Sequence, residues 1–365
     1  MRAEEADSAV AVRALLYAPL VSRALCSVAE LGIPDALSAG PRTVRELARD
    51  TGAHEPALHQ VLTALTAFEV FELLPDGRFG LARLGTALTA GAPGSALPSA
   101  LMAQALSSRA WQGIPDTVRT GTPAFDKEFG ASFFTALDRR PDLRDLFDAT
   151  QARDVELESA AILRAHDFSA AGTLVDVGGG DGALLCHLLQ AHPDLRGILL
   201  DRPAAAAAAL ARFTAAGFGD RAEARSGDFF SAVPGGGDVY LLREVLHDWD
   251  DDQCVAVLAA CRRAMPAHAR LVVIELAADD RPGTDAAARM TALMSLYMLS
   301  VLPGRERAPR EFEALLQRAG LRLASVRRLT GQKALLVAVP EPAEVPAGAP
   351  DPSARTSHER STDHA

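Results

Sequence analysis

Leu174-Val-Asp-Val-Gly-Gly-Gly-Asp-Gly-Ala-Leu184 is the stretch whose reading decides the fold. Leu174, Val175 and Val177 supply the apolar run of a buried parallel strand. Gly178 and Gly180 permit positive φ or a close backbone approach, and the chain from Ala183 reads as a helix. A strand, a glycine turn and a helix make the unit of an α/β sheet whose ligands sit at the strands' carboxyl ends. The turn alone leaves a dinucleotide site, a phosphate loop and a plain tight turn open. It lacks the Gly-Lys-Ser/Thr of a phosphate loop and carries Asp176 inside the strand. A cationic, nucleotide-like ligand without a diphosphate therefore fits better than a polyphosphate.

The next strand ends extend that reading. Ile198-Leu-Leu-Asp201 closes a second apolar strand on an acid suited to accept two hydrogen bonds from a ribose diol. In Gly227-Asp-Phe-Phe230, Asp228 can accept from an adenine amino group and Phe229 can cover a ring face, whereas Phe230 reads as core. Three strand ends thus address one adenosine. Tyr240-Leu-Leu-Arg-Glu-Val-Leu-His-Asp-Trp-Asp-Asp-Asp252 is an apolar strand that breaks into an acidic loop, which puts His247 at a strand end. Position alone leaves that histidine as a solvated residue, a satisfied core residue or a base. Glu275 ends the strand Leu271-Val-Val-Ile-Glu275, and Glu306 lies in Gly304-Arg-Glu-Arg307, where a surface pairing with Arg305 or Arg307 is the competing reading.

Read in order, Trp111-Gln-Gly-Ile-Pro-Asp-Thr-Val-Arg-Thr-Gly-Thr-Pro-Ala-Phe125, Val175-Asp-Val-Gly-Gly-Gly180, Gly227-Asp-Phe-Phe230, Leu246-His-Asp-Trp-Asp250 and Gly304-Arg-Glu-Arg307 resemble the S-adenosylmethionine-dependent O-methyltransferases of the caffeate, hydroxyindole and bacterial polyketide-tailoring type. The resemblance implies an α/β protein: a Rossmann-like class I methyltransferase domain with a mainly α-helical, winged-helix dimerisation domain at the N-terminus. It also implies S-adenosyl-L-methionine as cofactor and methylation of a phenolic or enolic hydroxyl on an aromatic small molecule, in bacterial specialised metabolism.

Under that resemblance His247 is the general base, with Glu275 and Glu306 as its flanking acids. An imidazole of ordinary pKa ~6.5 can take the proton of a phenol near ~10 at neutral pH. Asp176, Gly178, Gly180, Asp201, Asp228 and Phe229 fall to the cofactor. Arg243 stands where caffeate-type enzymes have a lysine touching it. Arg153 resembles the residue that binds the methionine carboxylate in polyketide-tailoring relatives, with a solvated helix arginine as the rival. Trp111, Met290, Met294, Tyr297 and Met298 are the expected substrate residues, although a helical methionine stripe can equally be core. Relatives read Met-Asp-Leu-Asn-Met-Leu where this chain has Met294-Ser-Leu-Tyr-Met-Leu299, and glycine where it has Pro303. These departures leave room for a relative that keeps the cofactor while decarboxylating or hydroxylating a polyketide. No metal is expected.

Composition agrees with a two-domain enzyme. The chain has 365 residues, 48% of them hydrophobic, and a net charge of −10, which disfavours nucleic acid or an anionic membrane as partner. No apolar run reaches the roughly 18 residues of a membrane helix, and the acidic start Met1-Arg-Ala-Glu-Glu-Ala-Asp7 has no signal-peptide pattern. A cytoplasmic homodimer is expected. The four cysteines show no metal spacing. Arginine outnumbers lysine 35 to 2.

Four segments follow. Residues 1–108 read as the helical winged-helix-like dimerisation domain: Thr43-Val-Arg-Glu-Leu-Ala48 carries a capping box, and Phe71 to Leu81 a hairpin tipped by Asp76-Gly77. Such an array can bind DNA, but no lysine or arginine occurs from Asp50 to Gly77, so the regulator reading is disfavoured. Residues 109–167 are a helical connector lining the active site, 168–340 the cofactor domain, and 341–365 a tail expected to be disordered.

Overall fold

The computed structural model describes residues 2–279, 283–329 and 333–342, so the expected tail lies outside the described residues from 343 onward. The chain opens with α1 (Arg2–Glu30), whose C-terminal end contributes Val28 to an apolar cluster with Ile33, Leu47, Leu62 and Phe79. Around that cluster pack α2 (Val44–Thr51), α3 (Glu55–Thr66) and the hairpin of β1 (Phe71–Leu73) with β2 (Phe79–Leu81). The capping box forms: Thr43 Oγ1 accepts from the Glu46 amide at 3.3 Å, and Glu46 Oε2 accepts from the Thr43 amide at 2.9 Å.

One expectation is corrected here. Within the span Asp7–Glu30 of α1 the most apolar stretch has a mean hydropathy of 1.5, so by length and composition this helix could cross a membrane. Arg13 and Arg23 interrupt the run in the sequence, but neither lowers the average enough to disqualify it. Only 6% of its most apolar stretch is buried within the protomer, and Leu15, Leu16, Tyr17 and Leu20 are exposed.

The connector contains α4 (Phe133–Arg139) and the 25-residue α5 (Pro141–Ala165). It has its own apolar cluster, with Phe125, Phe133, Leu137 and Met298. The helix α5 is shared, because its Val155 and Ile162 pack on the sheet of the next segment.

That segment runs β3 (Thr173–Val177), α6 (Ala183–Ala191), β4 (Arg196–Asp201), α7 (Pro203–Ala215), β5 (Ala222–Ser226), β6 (Val239–Arg243), α8 (Asp251–Ala264), β7 (Arg270–Leu276), α9 (Ala286–Val301), α10 (Pro309–Arg318), β8 (Leu321–Arg328) and β9 (Lys333–Pro340). The sheet order is β5-β4-β3-β6-β7-β9-β8, parallel except for the antiparallel pairings of β9 with β7 and β8. Alternate residues face opposite layers. Val175, Val177, Tyr240, Leu242, Leu271 and Val273 enter one cluster, and Leu174, Leu199, Leu241, Val272 and Ile274 the other. Burial on both faces explains the unbroken apolar runs of the sequence. The chain leaves β3 for β4 on one side and returns with β6 on the other, which opens a crevice at the carboxyl end of β3.

Candidate active site

The crevice is a cavity lined from two directions. From the sheet come Asp176, Gly178, Gly180, Asp201, Asp228, Phe229 and Arg243, and from α4 and α5 come Phe134, Arg144, Phe147 and Asp148. Gly178 has φ +74°, and a Cβ there would lie 2.8 Å from Val245 Cγ2, so the turn excludes side chains on two grounds. Asp201 Oδ2 accepts from the Gly180 amide at 2.8 Å, tying the tip of β4 to the glycine turn. Asp176 is 2% exposed, and its Oδ2 has no hydrogen-bond partner among the described residues. Burial and the neighbouring Asp201 push its carboxyl up to about 7. Asp228 Oδ1 accepts from the Phe230 amide at 3.0 Å, and its Oδ2 accepts from Ser231 Oγ at 2.8 Å. A glycine cradle and a buried, unpartnered acid suit a cationic adenosine ligand, as S-adenosylmethionine is.

Arg243 lines the cavity but is not free to swing into it. It forms a closed ring of charges with Glu158, Lys333 and Glu244: each carboxylate gives one oxygen to each cation. The Arg243–Glu158 and Arg243–Glu244 contacts are both 3.0 Å and Lys333–Glu244 is 2.6 Å, with Lys333–Glu158 closing the ring. Glu244 sits at φ 52°, an uncommon conformation for a residue with a side chain. Although burial opposes it, Arg243 and Lys333 hold the Glu244 carboxyl well below the usual range.

His247 follows three residues later on a single helical turn, Leu246–Asp248, and is 7% exposed. Its Nδ1 lies 3.2 Å from Glu306 Oε1 and 3.7 Å from Glu275 Oε2. Its Nε2 lies 3.4 Å from Oδ1 of Asp248, which lines the cofactor cavity. The two glutamates thus flank one ring nitrogen, and Asp248 stands by the other; His247, Glu275 and Glu306 lie behind Asp248 and Trp249 and are not themselves among the lining residues. They are not equivalent. Glu275 is fully buried and uses Oε1 to accept from the amides of Val245 (3.1 Å) and Leu246 (2.7 Å), so it also anchors the loop that carries the histidine. Burial of the imidazole favours its neutral form, but Glu275, Asp248 and Glu306 together outweigh that and raise its pKa well above the ordinary value. Burial pushes the Glu275 carboxyl up to about 7, with His247 working against it. His247, Glu275 and Glu306 offer ligand-type atoms within 4.8 Å of one another, a spacing that a divalent cation can span.

Other expected residues fall elsewhere. Arg153 does not line the cavity: it pairs with Glu156 at 2.9 Å and donates to the Ala90 carbonyl at 3.3 Å, because its position on α5 turns it toward the N-terminal segment. Trp111, Met290, Met294, Tyr297 and Met298 are likewise absent from the cavity lining. Four-residue steps on a helix advance about 40° past a full turn, so the methionine stripe of α9 rotates from exposed Met290 through half-buried Met294 to buried Met298. Tyr297 packs against the connector cluster and accepts a hydrogen bond from Ser107 Oγ at 3.3 Å.

Several lining residues escaped the sequence reading. Asp248 and Trp249 adjoin the histidine, and that adjacency was a usable signal. Phe134, Arg144, Phe147 and Asp148 come from helices whose inward face no local pattern marks.

Comparison with known proteins adds the following. A profile for the O-methyltransferase domain matches residues 111–322, and one for the O-methyltransferase dimerisation domain matches residues 14–91. The chain is 45% identical to O-methyltransferase SfmM3 of Streptomyces lavendulae over 318 residues, covering 86% of this chain and 95% of that one. Among solved structures it is similar to the O-methyltransferase NcsB1 from neocarzinostatin biosynthesis in complex with S-adenosylmethionine and 2-hydroxy-5-methyl naphthoic acid, at 33% identity and a TM-score of 0.78, covering 87% of this chain and 95% of that chain. It is also 37% identical to the aclacinomycin 10-hydroxylase RdmB of Streptomyces purpurascens, covering 83% of this chain and 82% of that protein.

Proposed function

The chain belongs to the S-adenosylmethionine-dependent O-methyltransferase family, and from that premise we propose that it acts on aromatic small molecules and that His247 is the general base that takes the proton from a phenolic or enolic hydroxyl. The observation that carries this reading is the asymmetry of the imidazole, with Glu306 on Nδ1 and Asp248, a residue of the cavity wall, beside Nε2. When bound, S-adenosylmethionine supplies an electrophilic methyl group. The protein then has to hold the hydroxyl in line with that methyl, exclude water and accept one proton at Nε2. A hydrogen bond from Nδ1–H to Glu306 fixes the tautomer whose Nε2 can accept, and the two flanking carboxylates stabilise the imidazolium that forms. Asp176, Asp201 and Asp228 put three acids on the cavity wall, and a bound cation would favour the ionised form of Asp176 against its burial.

Resting His247 favours the imidazolium because three carboxylates surround it. A bound sulfonium cation would weaken that preference without removing the three carboxylates that cause it. The exposed apolar side chains of α1, within or beside the matched dimerisation segment, support a homodimer. On this reading α1 meets a second protomer rather than a bilayer, in a cytoplasmic enzyme whose segments divide near residues 108, 167 and 340.

The deciding experiment incubates the protein and its His247→Ala variant with methyl-labelled cofactor and a panel of simple and polycyclic phenols, read by mass spectrometry. The expected result is an O-methylated product in step with S-adenosylhomocysteine, with turnover of the variant about 10² to 10⁴ lower and cofactor binding kept. An altered product that lacks the label would establish the decarboxylase or hydroxylase reading instead, and full turnover by the variant would remove the base.

A further inference from the structure

We propose that Arg307 is a positioning residue for His247, clamping the two ends of the turn on which the imidazole stands; its kinetic consequence rests on the reading of His247 as the base. Arg307 is 0% exposed. Its Nη1 donates to the Leu246 carbonyl at 2.9 Å and its Nη2 to the Trp249 carbonyl at 2.7 Å, while Nε donates to Asp251 Oδ1 at 2.9 Å. Leu246 and Trp249 are the residues on either side of His247–Asp248, so one planar guanidinium fastens the turn at both ends. Lysine, with a single point of charge, cannot reproduce that fork.

The clamp is itself held. The Arg307 carbonyl accepts from the Ala278 amide at 3.0 Å, and an isolated parallel bridge joins Arg307 to Ala277, just beyond the strand that carries Glu275. Three residues upstream the backbone closes on the same turn: a Cβ on Gly304 would lie 1.9 Å from the His247 carbonyl oxygen and 2.5 Å from the Trp249 amide. Residues 304–307 thus touch the catalytic turn three ways, through bare backbone at Gly304, the ring contact of Glu306 and the carbonyl fork of Arg307. A fully buried cation is costly to keep, and this one is paired with Asp251 and places its remaining donors on main-chain carbonyls, those of the element it holds among them. Arg307 is not among the residues lining the cofactor cavity. It touches the cavity only through the turn it holds, which contributes Asp248 and Trp249 to the lining, so its direct effect is on the position of the base.

The test compares the wild type with Arg307→Met and Arg307→Lys on protein labelled with nitrogen-15 at histidine. The Nδ1–H signal of His247 is identified as the one missing from His247→Ala, and S-adenosylmethionine binding is followed by calorimetry. The expected outcome is loss or broadening of that signal in both Arg307 variants, with cofactor binding retained and weakened by less than kcat falls. On any acceptor found in the phenol panel, kcat should fall on the order of 10²-fold, with no further loss when Arg307→Met is added to His247→Ala. Should Arg307→Met fail to fold, Arg307→Lys carries the same measurement. An unshifted signal in a folded variant overturns the proposal, as do wild-type kcat or losses that add independently in the double variant. Full turnover by His247→Ala beside a lost signal in Arg307→Met would instead fault the base and leave the clamp standing.

Discussion

At the residue scale, the histidine is governed by charges that oppose its burial. Glu275, Asp248 and Glu306 raise the pKa of His247, so the proton that must leave before the imidazole can act as base is held above its ordinary pH. The sign follows: acceptor kcat/KM should climb with pH and level off only past a midpoint above ~6.5. Glu306→Gln removes one of those carboxylates and the acceptor of the Nδ1 proton. We expect its midpoint to move down while the plateau falls, because the tautomer is less well fixed. A pH–rate profile at saturating cofactor checks both, and an unmoved midpoint would mean that Glu306 does not act on the ring. His247 and Glu275 were readable as strand-end residues. The ranking of the two glutamates was not, because which oxygen faces a ring and which takes the backbone amides depends on side-chain direction.

At the scale of elements, the ring of Glu158, Arg243, Glu244 and Lys333 joins α5, the end of β6 and the start of β9. Sequence reading placed Arg243 at the cofactor, and it does line the cavity, yet its partner Glu158 lies 85 residues away. Lys333, one of two lysines in an arginine-rich chain, reaches a glutamate 175 residues away. No spacing rule reports such pairs. With two cations and two anions, the ring tolerates loss of a neutral pair better than loss of one member. Lys333→Met should therefore destabilise the protein by about 3 to 5 kcal/mol, the typical cost of an uncompensated buried charge. Adding Glu158→Gln should recover part of it. Denaturant titration of the two variants measures this, and a double variant no more stable than the single would show that the ring is not an electrostatic unit.

At the scale of the whole molecule, the first helix exposes Val10, Val12, Leu15, Leu16, Tyr17 and Leu20 on the protomer, more apolar surface than a monomer usually leaves in water. The dimerisation segment begins at residue 14. Leu16→Asp with Leu20→Asp should shift the protein from dimer to monomer in light scattering after size exclusion and leave it out of the membrane fraction. A wild type that is already monomeric, or that sediments with membranes, would contradict the assignment of this helix.

The sequence by itself determined the α/β sheet, the cofactor cradle and the histidine, because each is written in neighbouring residues. A strand feeds a glycine turn, and Asp201, Asp228 and His247 stand at or just past strand ends, where any parallel sheet brings its carboxyl termini together. Tertiary structure alone decided what side chains do across long stretches of chain. It turned Arg153 away from the cavity and rotated the methionine stripe out of it. It also closed the ring around Glu244 and drew Arg307 onto the carbonyls of Leu246 and Trp249. Helix rotation, side-chain direction and the pairing of distant charges are set by packing, and local sequence carries no record of them.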